Sequence, residues 1–273
     1  MKIHHYTTIE TLALILKNKT IRFNRLDGVD DLEESEYGIS AANVKMGKYH
    51  FVSCWTKDAI ENIALWGLYT KYKGVRISLD ENMFVTYPIN NTFNSYFPEF
   101  NKIGDNYLIS VPNNDVKLID VEYVDDLKSK INQLGIYAED KKSGKYSLKF
   151  SNDFGTFKSK QWKFQKESRF KISVCPIQQP DLTQLKGPNS EFYRMEAIMN
   201  SIAPSLKDSQ PISVQYFDID LNEIAFQNME ILLAPQTTVS EKIIVESLIK
   251  SFCPTAVLSE SVFKGKIRFK GTF

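Results

Sequence analysis

Apolar and polar positions alternate with period two in several short runs of this chain and recur with helical spacing in others. Residues 3–7 predict a short strand. It ends at Thr7-Thr8-Ile9-Glu10, a capping-box pattern in which the Thr7 hydroxyl accepts from an orphan amide and Glu10 reaches back. Ile9, Leu12 and Leu16, thickened by Ala13 and Ile15, then form one stripe of a helix running to about Asn18. Thr20–Phe23 reads as a second strand, and Tyr49–Trp55 as a strong one by β propensity. A helix is expected over 58–69, with Asp58 as N-cap and Ile60, Ile63, Ala64 and Leu68 as its apolar face. Gly74 ends that unit. Val75, Ile77 and Leu79 alternate with Arg76, Ser78 and Asp80 as a half-buried strand.

Residues 87–104 lack a period and read as a long irregular insertion. Strands follow at 107–111 and 116–124, separated by a Pro-Asn-Asn turn. Residues 126–157 read as partly helical, broken at Gly135 and Gly144. Phe170, Ile172 and Val174 alternate with Arg169, Lys171 and Ser173. A helix over 191–202 and strands at 212–219 and 231–233 come next. Thr238-Val239-Ser240-Glu241 is another capping-box pattern, opening a helix to about Phe252, and strands at 255–258 and 266–269 close the chain. Short strands with interspersed helices, without regular βαβ alternation, predict an α+β fold. Its core is a mixed or antiparallel sheet with flanking helices, in a single domain over 1–273.

Composition narrows the function. With 42% hydrophobic residues the chain has the apolar content to fold, and 34 basic against 33 acidic residues speak against a dedicated nucleic-acid binder. A mean hydropathy of −0.29 and the lack of an 18-residue apolar run predict no membrane association by a spanning helix. Cys54, Cys175 and Cys253 form no CxxC pair, and the N-terminus has no secretory h-region, so a reducing, cytoplasmic setting is expected. Three histidines and three cysteines speak against a structural zinc site. Neither the dinucleotide nor the P-loop glycine fingerprint occurs.

Three segments carry candidate chemistry: His4-His5-Tyr6-Thr7; Phe51–Thr56 with Leu65–Tyr69; and Lys160–Arg169. The last two hold all three tryptophans, Trp55, Trp66 and Trp162. Glu167 shares strand parity with Arg169 and Lys171, so it points away from the Phe170 and Ile172 face. A carboxylate beside an aromatic wall suits stabilisation of positive charge on a sugar carbon. Lys160, Lys166 and Arg169 are the cations expected to keep it ionised. Plainer readings stand beside these. A first-strand histidine more often satisfies a structural partner, and Trp66 and Tyr69 at helical spacing more often pack in a core. The acidic run Asp27–Glu36 is usually a solvated loop. The basic run from Lys158 to Lys171 is a solvated face, or a site for pyrophosphate or a nucleic-acid backbone. Glu167 also has a plain ion-pairing reading, with Lys160 or Arg76.

The order of His5-Tyr6-Thr7, Ile15-Leu16-Lys17-Asn18-Lys19-Thr20, an acidic stretch, Val52-Ser53-Cys54-Trp55, Leu65-Trp66 with Tyr69, Gly74-Val75, and Trp162 with Glu167 and Arg169 resembles the bacterial family of unknown function DUF2971. Asp30-Asp31-Leu32-Glu33-Glu34 keeps the acids of that family's loop without its Asn and Pro, and Gln165 stands where the family has an acid. The opening is also similar to His-type ADP-ribosyltransferases. That resemblance implies an ADP-ribosyltransferase-like fold that binds NAD as substrate. His5 would hold a ribose hydroxyl. Tyr6, with Thr7 beside it, would offer backbone to the nicotinamide amide. Trp55, Trp66 or Tyr69 would stack on the ring, and Glu167 would be catalytic. Ser53 and Arg169 are grouped with the ligand-contacting residues. The expected activity is transfer or hydrolysis of ADP-ribose, with a protein or nucleic acid as acceptor, in a bacterial defence (phage defence included) or toxin system. Two alternatives remain open: a non-catalytic nucleotide or nucleic-acid binding module, and a metal-dependent nuclease-like enzyme using Asp31, Glu34 and Glu167.

Overall fold

β1 (Lys2–Thr7), α1 (Ile9–Asn18) and β2 (Thr20–Arg25) open the chain as the periodicity predicts. The computed structural model describes residues 1–36, 38–39, 44–90, 93–110, 114–140, 145–180 and 190–268. The cap of α1 is Thr8, not Thr7. Thr8 Oγ1 accepts from the Thr11 N–H at 3.2 Å, while Thr7 completes β1 and is buried. Lys19 ends the helix in the left-handed region, at φ 55°.

The main sheet adds β3 (His50–Thr56), β4 (Val75–Asp80), β5 (Ile119–Asp120), β6 (Glu167–Ser173), β7 (Tyr216–Asp220), β8 (Glu230–Leu233) and β9 (Val257–Glu260). These nine strands run β5-β6-β3-β1-β4-β8-β9, with β2 joining β3 to β7. All pairs are antiparallel except β8 with β9. The remaining helices are α2 (Leu32–Glu36), α3 (Ile63–Thr70), α4 (Leu127–Asn132), α5 (Ser190–Lys207), α6 (Glu223–Gln227) and α7 (Val239–Phe252). The mixed sheet and its helices make this an α+β protein. One apolar cluster takes Ile3, Phe51, Ile77, Phe170 and Ile231 from the sheet, Leu12 and Leu16 from α1, and Val245 and Ile249 from α7. The Thr238 capping box forms as expected: its hydroxyl accepts from Glu241 N–H and its own N–H donates to the Glu241 carboxylate.

Several expectations are corrected. The helix placed over 58–69 is α3, which starts at Ile63. Asn62 is its cap, accepting from the N–H groups of Ala64 and Leu65, whereas Asp58 accepts from Ile60 N–H and pairs with Lys166. Leu65 and Trp66 face inward, while Ile60, Ile63 and Leu68 are exposed. Among the described residues of 126–157 the helical part is the six-residue α4; after it Gly135–Asp140 pairs antiparallel with Lys145–Phe150, where no strands were expected. Short strands also break the 87–104 segment, at Tyr87–Pro88, Asn94–Ser95 and Asn101–Ile103. The helix expected over 191–202 runs from Ser190 to Lys207, and the 212–219 strand begins only at Tyr216. No strand forms over 266–268. The Pro112-Asn113 part of the expected turn, Gly144 and residue 269 lie outside the described residues. The acidic run is solvated only in part: Asp30, Glu33 and Glu36 are exposed, whereas Asp31 and Glu34 are buried on and before α2. Among the described residues no helix is long and apolar enough to cross a membrane.

Gly74 is required where the chain enters β4. A Cβ there would stand 2.2 Å from the Thr7 carbonyl oxygen and 2.8 Å from the Thr70 side chain. The close approach lets α3 pack over the end of β1.

Candidate functional site

β3 organises the site. On one edge it pairs with β6 along its length, from Glu167↔Thr56 to Ser173↔His50. The other edge is divided. Thr56 pairs with His4 of β1, and Phe51 and Val52 pair with Arg25 and Asn24 of β2. Ser53–Trp55 lie between these pairings with no strand partner on that edge. The Cys54 carbonyl in this split would be an orphan acceptor. His5 supplies its partner, with Nδ1 2.7 Å from the Cys54 oxygen. A carbonyl can only accept, so Nδ1 carries the proton. Burial pushes the imidazole below its ordinary pKa, which leaves Nε2 as a free acceptor.

A small cleft of about 60 Å³ opens beside this split. That is well below the roughly 300–1,000 Å³ of sites that enclose a whole small molecule, so it seats one ring or group of a ligand and not the whole of it. His5, Trp55, Tyr69, Gln165 and Glu167 line it, with Cys54 and Thr56 between them and His4, Tyr6 and Leu65 completing the wall. The Trp55 ring lies 5.3 Å from the His5 ring, and its Nε1 donates to Ser53 Oγ at 2.9 Å. Ser53 therefore orients Trp55 and does not line the cleft. The Tyr6 hydroxyl accepts from Asn62 N–H at 3.0 Å, which ties β1 to the start of α3.

Besides Ser53, three more of the expected ligand residues lie elsewhere. Trp66 is fully buried behind Tyr6, edge-to-face at 4.8 Å, and its Nε1 donates to Glu61 Oε2. It supports the wall and has no face to offer a ligand. Thr7 is buried outside the cleft lining. Arg169 lies wholly beneath the surface and engages carboxylates on both sides.

Glu167 points to the face opposite Phe170 and Ile172, as its parity requires, yet it is buried. Its partners are only in part those expected. Lys160 pairs with Asp125, Lys166 with Asp58, and the Arg76 guanidinium donates to the Ala59 carbonyl. Arg169 does hold it, as expected, through Nε at 2.5 Å and Nη2 at 3.1 Å. The same guanidinium holds Glu34 at 2.5 and 3.0 Å. Lys158 Nζ stands 3.1 Å from Asp30, 3.3 Å from Glu34 and 3.2 Å from Glu167. Burial opposes ionisation of Glu167, but the charges of Arg169 and Lys158 outweigh it and hold the carboxyl at a pKa of about 2. Burial and Glu167 together push the Cys54 thiol well up, so it stays protonated and hydrogen-bonds to Glu167.

Tyr69 and Gln165 close the network on the cleft side. The Tyr69 hydroxyl donates to Asp30 Oδ2 at 2.7 Å, and Gln165 Nε2 donates to Asp30 at 3.0 Å and to the Tyr69 oxygen at 2.7 Å. An ionised Asp30 only accepts, which fixes the amide orientation of Gln165. Its Oε1 then has no partner.

Asp30 and Gln165 have no role assigned from sequence, Glu34 enters only as a metal ligand of the nuclease-like alternative, and Lys158 only as part of the basic run. The signal was present as an acidic run and a basic run of similar strength, but each alone reads as a solvated surface. Only the fold brings them together. Among the described residues no group of three or more His, Cys, Asp or Glu side chains is placed to hold a metal ion. Cations already sit between Glu34 and Glu167. No family model, curated protein or solved structure matches the chain.

Proposed function

We propose that this chain is an ADP-ribosyltransferase-like protein that binds NAD as substrate and cleaves its nicotinamide–ribose bond. The reading rests on one observation: His5 of β1, Trp55 of β3, Tyr69 of α3 and Glu167 of β6 line a single cleft at the split in the sheet. His5 Nε2 is free to accept a hydrogen bond from a ribose hydroxyl. Trp55 and Tyr69 supply an aromatic wall for the nicotinamide ring. When the glycosidic bond breaks, its electron pair leaves with nicotinamide and positive charge develops on the ribose, near the Glu167 carboxylate. An acceptor nucleophile, either water or a group on a protein or nucleic acid, then bonds to that carbon and gives up a proton.

A second reading is a nucleotide-binding module without turnover. It is favoured by the grip of Arg169 and Lys158 on Glu167, which neutralises part of the charge an oxocarbenium stabiliser uses. Glu167→Gln separates the two. Turnover, measured as nicotinamide release, should fall by roughly 10²-fold or more, the scale of losing one preorganised electrostatic group. NAD affinity by calorimetry should change little. Unchanged release in a folded variant rejects Glu167 as the catalytic residue, and no release from wild type with any acceptor favours the binding module.

A further inference from the structure

Gln165 is 3% exposed and lines the cleft, and among the described residues nothing donates to its Oε1. The amide cannot turn over to relieve this. Its Nε2 donates to Asp30 at 3.0 Å and to the Tyr69 oxygen at 2.7 Å, and an ionised Asp30 only accepts. A buried carbonyl without a donor is costly, so a donor that reaches it recovers free energy. The walls have spent most of theirs. Thr56 Oγ1 donates to the Lys166 carbonyl at 2.9 Å, the Tyr69 hydroxyl to Asp30 at 2.7 Å, Trp55 Nε1 to Ser53 at 2.9 Å, and His5 Nδ1 to the Cys54 carbonyl at 2.7 Å. The Cys54 thiol is turned to Glu167.

The cleft therefore presents a pair of acceptors, Gln165 Oε1 and the Glu167 carboxylate. They are joined from behind: Gln165 bonds Asp30, and Lys158 Nζ reaches Asp30 at 3.1 Å and Glu167 at 3.2 Å. A group held between two acceptors must bring two donors. Water brings two O–H bonds and keeps a lone pair for a third partner. Size favours it as well. Of the cleft's 60 Å³ or so, a single water takes about 10–15 Å³, which leaves the space that seats a ring. A second organic group beside that ring needs several times as much.

We propose that Gln165 and Glu167 hold a water between them as the acceptor of the ADP-ribosyl group, so that the cleft hydrolyses NAD and does not modify a macromolecule. The proposal rests on the NAD reading and narrows it. The water donates one O–H to Gln165 Oε1 and the other to Glu167, and its lone pair faces the ribose carbon. As the carbon–nitrogen bond breaks, its electron pair neutralises the pyridinium and leaves with nicotinamide. The water oxygen bonds to the carbon, and one of its protons passes along the Glu167 hydrogen bond to solvent. The products are nicotinamide, ADP-ribose and a proton. Glu167 does not keep that proton, because Arg169 and Lys158 hold it ionised. Asp30 and Tyr69 fix Gln165 before the reaction, so the water is already placed when the bond breaks.

Nicotinamide and ADP-ribose are measured with the full chain and NAD alone, and then with methanol added as a competing acceptor. Wild type should release the two products in equal amounts with no protein or nucleic acid present, and should favour water over methanol. Gln165→Met keeps the side-chain length and has no oxygen. Its turnover should fall about tenfold, the scale of one good hydrogen bond, with KM little changed, and the methanol share of the product should rise. Lost packing alone would slow both routes together and leave that share where it was. Gln165→Glu restores an acceptor oxygen and should return the share toward wild type. Thermal melting checks that each variant folds, and the wild-type arm decides for or against water if one does not. Release that requires an added protein or nucleic acid overturns the proposal and leaves the NAD reading standing. No release with or without an acceptor overturns both. A methanol share unchanged in folded Gln165→Met overturns Gln165 as the residue that holds the water.

Discussion

At the residue scale His5 has two tasks at once. Its side chain completes the hydrogen bonding of a strand edge and also presents a free nitrogen in a cleft. The plain reading of a first-strand histidine, a satisfied structural partner, describes Nδ1, and Nε2 is what the proposed ligand role uses. His5→Phe keeps the ring volume and removes the donor. The Cys54 carbonyl is then an unpaired acceptor, which should cost about 1–3 kcal/mol of stability. NAD affinity should also fall, by roughly tenfold for the loss of one good hydrogen bond. Urea unfolding and calorimetry measure the two effects separately. Unchanged stability with lost affinity would confine His5 to the ligand, and the reverse would confine it to the sheet. That Glu167 faces away from the Phe170 and Ile172 side is legible from strand parity, and that His5 shares a cleft with Trp55, Tyr69 and Glu167 follows the expectation drawn from the motif order. Trp66 was misplaced because helical spacing does not say which turn faces the cleft and which the core; Trp66 has its whole ring behind Tyr6.

At the element scale, strands with strict alternation read correctly, and the stretch from Thr56 to Asn62 did not. Asp58 is a good N-cap by residue type. It is drawn away because the chain must first round the cleft rim, where Asp58 meets Lys166. Asn62 takes the cap and adds a contact that no local pattern announces. Its Nδ2 donates to the Phe164 carbonyl at 2.8 Å, joining α3 to the Lys160–Gln165 turn that carries Gln165. That turn ends at Lys166 in the left-handed region, at φ 45°, immediately before Glu167. Asn62→Ala should therefore do more than remove a cap. The cap alone is worth roughly 0.5–2 kcal/mol. The freed turn should also weaken ligand binding, although Asn62 does not line the cleft. Asn62→Ser, which keeps the cap and loses the Phe164 contact, should restore most of the stability in urea and little of the affinity. Equal recovery of both would show that the turn needs no tether.

At the scale of the whole molecule, the buried network ties the acidic α2 segment, the strand at Phe157–Ser159 and β6 into one unit. Its depth could not be read from sequence, since acids near residue 30 and cations near residue 160 meet only in the fold. The network makes a definite prediction for acid unfolding. The folded pKa of Glu167, about 2, lies below its ordinary 4.5, so between those values the unfolded chain binds more protons than the folded one. The stabilisation is thus complete above about pH 4.5 and is lost as pH falls toward 2. At 1.36 kcal/mol per unit it is on the order of 3 kcal/mol. The histidines act at higher pH in the same direction. Burial lowers His4 to about 4 from 6.5 and lowers His5 and His50 as well, so stability begins to fall once pH drops below 6.5. Lys171 works at the alkaline end. Burial brings it down to about 8, so stability should rise between pH 8 and 9.5 as the folded state sheds a charge that the unfolded state keeps. Urea midpoints across pH 3–9.5 should therefore show a slope below 6.5 and a further one below 4.5. Glu167→Gln should make the part below 4.5 shallower, leaving the smaller share of the other lowered carboxylates, and should leave the histidine part. Lys171→Met should flatten the alkaline rise. An acid limb in Glu167→Gln as steep as wild type below pH 4.5 would mean that Glu167 is not held ionised by Arg169 and Lys158.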